Sequence, residues 1–326
     1  MKVAKPTTSA EKSTKTVVDT ILFSRKEIEE WQLPPYHKGG LKTFQREARV
    51  NDNVRALAQA IANDGGVLPG VITFGVLNKN KTEKFLLDGQ QRRSSFLLSG
   101  KEEGVADVRV CFFDSVAEMA QEFVELNSHL SSMKPDDILR GLEPALPALQ
   151  EVREACPFVG YDMVRRCERS PVLSMSVLIR CWAVSAGEVP GGAGKSSKLL
   201  ALELAEPNVK DLIAFLQLAY AAWGRDVEYR RLWSALNLSL CMWLYRRIVV
   251  GSYSAKTQRL SPELFQKCLM SLSASPVYLD WLTGRHVGER DRAPAYNRIK
   301  GVFAARIQTE QGGKKPLLPA PVWAHS

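Results

Sequence analysis

Short apolar runs bounded by turn residues, with one helically spaced stretch between them, fill the first third of the chain and later give way to helical spacing throughout. Val17 to Phe23 predicts a strand, and Ser24 with Glu27 gives the capping-box spacing of a short helix ending near Trp31. Leu33 to Gly40, rich in Pro and Gly, is a loop. Val54, Leu57, Ala58 and Ile61 recur at helical intervals, and Gly65-Gly66 stops that helix. Val71–Leu77 and Glu83–Leu87 read as two strands joined by a polar turn at 78–81. The second strand breaks at Asp88-Gly89 and a helix starts at once. Asp88 is the expected N-cap, Gln91 completes a capping-box spacing, and Gly100 is the expected stop. A hairpin turn nucleated by Asp-Gly is the competing reading, but it does not account for the helix that follows. Val108–Phe113 predicts another strand. Ser115–Leu126 is an amphipathic helix with Val116, Met119, Ala120, Phe123 and Val124 on one side.

Asn127 to Pro135 is the next break, Asp136–Leu142 resumes helix, and Pro144 and Pro147 interrupt it. Beyond Leu149 strand patterning fades, and segments near 172–186, 208–223, 230–249 and 261–272 read as helices. The order predicts an α+β protein: a disordered tail over 1–15, a mixed α/β domain over 16–140, an all-helical domain over 141–312 and a loose tail over 313–326.

Composition narrows the picture only a little. The 326 residues carry a formal charge of +9 with a pI near 9.2, which favours an anionic partner such as DNA. The excess is spread along the chain without a polybasic tail. Cysteines at 111, 156, 167, 181, 241 and 268 form no Cys-x-x-Cys pair, and the histidines at 37, 129, 286 and 325 are scattered. That spacing fits neither zinc nor a disulfide framework and points to reduced thiols in the cytoplasm. The N-terminus lacks the apolar run of a signal peptide. Leu236–Val250 is too short to span a membrane and ends in Arg246-Arg247, so it reads as a buried helix.

The candidate chemistry gathers at the Asp88 turn. Arg92 and Arg93 stand in a first helical turn, where cations oppose the helix dipole and capping explains neither. A bound anion would reverse that penalty, because free amides at a helix N-terminus suit a phosphate. Gln45, Arg46 and Arg49 precede the helix at Val54–Ile61 and read either as a solvated basic loop or as a second anion clamp. Asn127 reads as a helix C-cap. Gly191-Gly192-Ala193-Gly194-Lys195-Ser196 is not a P-loop, since Val189 stands where that pattern requires Gly and a helix precedes it. Leu232–Tyr245 is apolar nearly all round and reads as core. Arginine-rich spots at 165–169, 225–231, 246–247, 285–292 and 298–306, with tyrosines nearby, are mostly solvated helix surface or else a nucleic-acid face.

Together these residues resemble the ParB-like nucleotide-binding superfamily in its DGQHR-domain branch, which includes DndB-like and DpdB-like proteins of DNA-modification systems. The resemblance rests on Gln45-Arg46 and Arg49, on Gly66 to Ile72, on Leu86-Leu87-Asp88-Gly89-Gln90-Gln91-Arg92, and on Phe123 to Asn127 with Lys134-Pro135. It spans about residues 17–140. Gln91 stands where the branch's motif has His, although DGQQR relatives exist, and Arg93-Ser94-Ser95 replace the usual small apolar residues. The resemblance implies a nucleoside triphosphate, ATP before CTP, bound with Mg²⁺. Gln45, Arg46, Arg49, Gly89, Gln90, Arg92, Arg93 and Asn127 would bind nucleotide. Asp88 would hold the metal or, with Gln91, orient an attacking water. It also implies slow ATP hydrolysis alongside a DNA-modifying partner enzyme, with homo-oligomers possible. A DNA-binding regulator that uses nucleotide only as a switch is the alternative, and a nuclease lacks the carboxylate cluster it would need. Arg92→Ala is expected to abolish nucleotide binding while leaving folding intact.

Overall fold

The computed structural model describes residues 16–319 except 39–40, 47, 49, 131–132, 162–170, 188–196, 205–207, 252–258 and 285–289. The chain is mixed α+β and divides into two compact units. Met1–Met133 with Gly141–Ala145 form the first, and Lys134–Arg140 with Leu146–Ser326 the second.

In the first unit β1 (Thr16–Ser24) leads through the short α1 (Arg25–Glu30) to α2 (Asp52–Asn63), then β2 (Val67–Leu77), β3 (Asn80–Asp88), α3 (Gln90–Ser99), β4 (Glu103–Phe113) and α4 (Val116–Leu130). The four strands form one sheet in the order β1-β4-β2-β3, with β4 and β2 parallel and the outer strands antiparallel to them. Local chemistry sets the helix starts. Ser24 and Glu27 make the expected capping box, and Asn51 caps α2 by accepting from the Val54 amide. One sheet face carries the core, in which Ile72, Phe74, Leu86 and Val108 pack with Phe23, Ile28, Ile61 and Phe96. The other face takes α4 at its Gly75 end, where a side chain on Gly75 would approach Met119 and Leu87 to about 3 Å.

Several boundaries differ from the sequence pattern for physical reasons. β2 starts at Val67 rather than Val71, and a register shift between the two absorbs Pro69 and Gly70. β4 begins at Glu103, because Glu103 and Asp107 interrupt the apolar run without interrupting the ladder. The chain does not break at Asn127: α4 continues to Leu130, and the Asn127 side chain donates to Phe123 O in its own helix at 2.8 Å. Asn127 is therefore a residue of the helix body and not its C-cap.

The second unit follows with α5 (Pro135–Leu142), α6 (Pro147–Ala155), β5 (Val159–Gly160), β6 (Leu173–Ser174), α7 (Met175–Ala186), α8 (Ser197–Leu202), α9 (Asn208–Trp223), α10 (Ala235–Ile248), α11 (Pro262–Ser273), α12 (Pro276–Thr283) and α13 (Arg292–Glu310). It is not all-helical, since β5 and β6 pair in parallel. α10 is buried on nearly every side, as its apolar sequence predicts. No helix among the described residues is long and apolar enough to cross a membrane. Arg246 and Arg247 do not form a nucleic-acid face: Arg246 stacks on Trp182 and Arg247 on Trp243, with Arg247 buried. Burial pushes the Arg246 guanidinium down to about 10, with Asp211 opposing the shift. The five described cysteines are free and buried, and burial raises each of their thiols, so none is a poised nucleophile.

Candidate functional site

The Asp88 turn joins the end of β3 to the start of α3. Asp88 is the last residue of the strand and does not cap the helix. The N-cap is Gly89, at φ +119°, which has no side chain to bond the first-turn amides. Both the hairpin and the capping-box readings of Asp88 therefore give way to a glycine turn. That turn sits hard on the core, for a Cβ at Gly89 would come within 2.6 Å of Ile72 Cδ1. Gln90, Gln91 and Arg92 supply the amides of the first turn, whose donors have no partner inside an α-helix. Gly100 closes the helix in the left-handed conformation, as expected.

The two arginines that oppose the dipole both have protein acceptors. Arg92 Nη1 donates to Pro69 O at 3.1 Å and Val71 O at 2.9 Å, and its Nη2 meets Asp88 Oδ2 at 2.6 Å. Arg92 thus ties the irregular start of β2 to the end of β3. Arg93 turns the other way, with Nε on Ile28 O at 2.8 Å and Nη2 on Glu29 O at 2.7 Å. These carbonyls belong to the last turn of α1, where a cation complements the dipole. Burial lowers the Arg93 guanidinium and the Glu29 charge opposes that shift. Carbonyl oxygens and the Asp88 carboxylate therefore account for the charge anomaly without a bound anion.

Gln45 and Gln90 make a latch. Gln45 is wholly buried, and its Nε2 donates to Leu86 O at 3.0 Å and Leu87 O at 3.3 Å. Gln90 Nε2 donates to Gln45 Oε1, and Gln90 Oε1 accepts from the Ala48 amide at 3.0 Å. The glutamines hold the segment before α2 against the β3–α3 turn: Gln45 is buried and not exposed to a ligand, and Gln90, expected like Gln45 to bind nucleotide, is half-buried with its amide oxygen and nitrogen bonded within the protein. Arg46 is half-buried, Arg49 lies outside the described residues, and Gln91 is exposed. The structure thus gathers Gln45, Asp88, Gly89, Gln90, Gln91 and Arg92, and directs Arg93 to α1.

Asp88 offers little to a metal by itself. Its Oδ2 is held by a guanidinium, and among the described residues no three His, Cys, Asp or Glu side chains cluster as ligands. Arg109 is the residue that sequence reasoning passed over. Thr73 pairs with Asp88 on β3 and with Arg109 on β4, so the three share one row of the sheet. Arg109 Nη2 lies 3.5 Å from Thr73 Oγ1, and its Nε is buried without a hydrogen-bond partner. An arginine inside the apolar run Val108–Phe113 was the available signal. One groove of about 650 Å³ lies between α2 and α3, lined by Val50, Arg55, Gln59, Leu98 and Ser99. It sits at the C-terminal end of α3, away from the Asp88 turn. Comparison with family models, curated proteins and solved structures gives no match.

The Arg92 contacts change what its removal should do. Arg92→Ala is expected to destabilise the first unit by about 2–3 kcal/mol, because two carbonyls and a carboxylate lose a charged donor together. Thermal denaturation checks this, and an unchanged midpoint would refute it. That substitution is therefore expected to lower stability as well as any nucleotide affinity.

Proposed function

We propose that the first unit is a ParB-like domain that binds the phosphates of a nucleoside triphosphate at the Asp88–Arg92 turn, and that the whole chain serves DNA modification from the cytoplasm. The observation carrying this reading is the first turn of α3, to whose amides the Gly89 N-cap brings no side chain and against which the Gln45–Gln90 latch is hydrogen-bonded. Phosphate oxygens would be bound by the amides of Gln90, Gln91 and Arg92. Arg46, Arg49 and Asn127 enter only through the ParB-like resemblance. ATP is the first nucleotide to test, and Mg²⁺ would arrive with the nucleotide, given the poor donor set at Asp88. The pairing of Asp88 with Arg92 favours the switch reading over hydrolysis, because it engages the carboxylate that would orient a water. The second unit would then contact DNA or a partner enzyme.

Gln91→Glu separates binding from folding. A carboxylate in a first helical turn stabilises the helix by about 0.3–1 kcal/mol, yet it repels a phosphate at the same amides. Calorimetry with ATP, CTP and GTP should show a loss of affinity of at least about tenfold with an equal or higher melting temperature. Unchanged affinity, or no binding of any nucleotide by the parent protein, rejects the reading. Phosphate release with and without DNA then distinguishes turnover from a switch.

A further inference from the structure

The two edges of the first unit's sheet are treated very differently. β3 carries exposed Lys81, Glu83 and Lys84, and Gln32 bridges to Phe85 along its outer side, with the Leu86 amide bonded to Gln32 O at 2.7 Å. Charges and a covering segment are the usual ways of blunting an edge. β1 has no covering segment among the described residues; its one charge is Asp19, and the amide of its last residue, Ser24, donates to Glu27 Oε2 at 2.6 Å. The strand pairs with β4 in unbroken register from Thr16 to Ser24, contains no Pro, Lys or bulge, and ends the strand order. Val18 is 67% and Leu22 83% exposed on the same strand face.

We propose that β1 pairs antiparallel with β1 of a second copy of this chain, about a two-fold axis at Thr20. The strand is self-complementary in that register. Thr16 falls opposite Ser24, Val17 opposite Phe23, and Val18 opposite Leu22, each twice by symmetry. The two most exposed side chains of the strand thereby cover one another, and the two sheets become one. Registers displaced by two residues lose the Val18–Leu22 pairs and leave both ends unmatched. Such a pair of strands buries roughly 600–800 Å², below the about 1,000 Å² of a permanent interface, so the dimer is reversible.

Asp19 opposes this contact and limits it. Its Oδ1 accepts the Thr20 amide at 2.8 Å, covering the backbone donor at the symmetry centre. In the paired register Asp19 also lies diagonal to its own copy, and like charges across strands repel.

Sedimentation velocity of the full chain over two decades of concentration tests the proposal. The parent protein should show a reversible monomer–dimer equilibrium. Leu22→Lys and Val18→Lys should abolish it with unchanged melting temperatures, both residues being exposed. Met270→Lys, at an exposed apolar position in the second unit, should leave it intact. Asp19→Thr should tighten the dimer at least about threefold, through loss of the repulsion. A monomer at every concentration in both the parent and Asp19→Thr overturns the proposal. So does a dimer that survives Leu22→Lys, or a series of species larger than dimer in Asp19→Thr, which would exclude two-fold closure.

Discussion

Gly89→Ala is expected to open the first unit by about 3 kcal/mol, a larger loss than truncating any residue around the turn. Two terms add. At φ +119° an alanine is strained by about 1–2 kcal/mol, and its Cβ would lie 2.6 Å from Ile72 Cδ1, an overpacking of about 1–3 kcal/mol. Gly100→Ala supplies the comparison, since Gly100 is also left-handed but has open space around it. It should lose only about 1 kcal/mol. Hydrogen exchange over β2, β3 and α3 reads the difference as roughly thirtyfold more frequent opening in Gly89→Ala than in Gly100→Ala. Adding Ile72→Val removes Cδ1 and should return part of the loss, a coupling of about 1 kcal/mol. Strict additivity of Gly89→Ala and Ile72→Val would show that the collision is not the cause.

Some of this was legible from the residues and some was not. Strand and helix order through the first unit follows from short apolar runs bounded by polar or glycine turns, and from the clean apolar stripe of α2 at Val54, Ala58 and Ile61. Buried α10 was legible for the opposite reason, being apolar on every side. The strand-to-helix turn at Asp88 was legible, but its cap and the partners of its two arginines were not. Capping rules act within one segment, whereas Arg92 reaches carbonyls 21 and 23 residues earlier and Arg93 reaches α1 some 65 residues earlier. Long-range acceptors of that kind leave no spacing signature. Gln45 had the same difficulty: a polar residue in a basic stretch looks solvated until the backbone it bonds, at Leu86 and Leu87, is brought beside it. α13 was missed although Tyr296, Ile299, Phe303 and Ile307 stripe it at helical intervals, since Arg298 and Arg306 interleave that stripe.

The same lesson in the second unit leads to the largest expected effect. Arg247 ends an apolar helix, and its sequence context suggests a charge at the surface. Instead its Nη1 donates to Ser185 O at 3.0 Å and Trp243 O at 3.2 Å, and its Nη2 donates to Gly187 O at 2.7 Å. The guanidinium lies 3.9 Å from the centre of the Trp243 ring. It therefore joins the C-terminal end of α7 to α10, bonding the Ser185 carbonyl and sharing the Gly187 carbonyl with Trp243 Nε1. Arg247→Ala removes the donors and the ring contact and leaves a cavity, for an expected loss of about 3–5 kcal/mol. Arg247→Lys keeps the charge but loses the planar fork, and should recover only a minor part. Arg247→Met keeps much of the volume, so a loss close to that of Ala would assign the stability to the bonds rather than to packing. Exchange over α7 and α10 measures all three, with the first unit as internal reference. Unchanged protection in Arg247→Ala would mean that the Ser185 carbonyl finds water, and the Gly187 carbonyl relies on Trp243 Nε1, without cost, and that the arginine does not hold the second unit together.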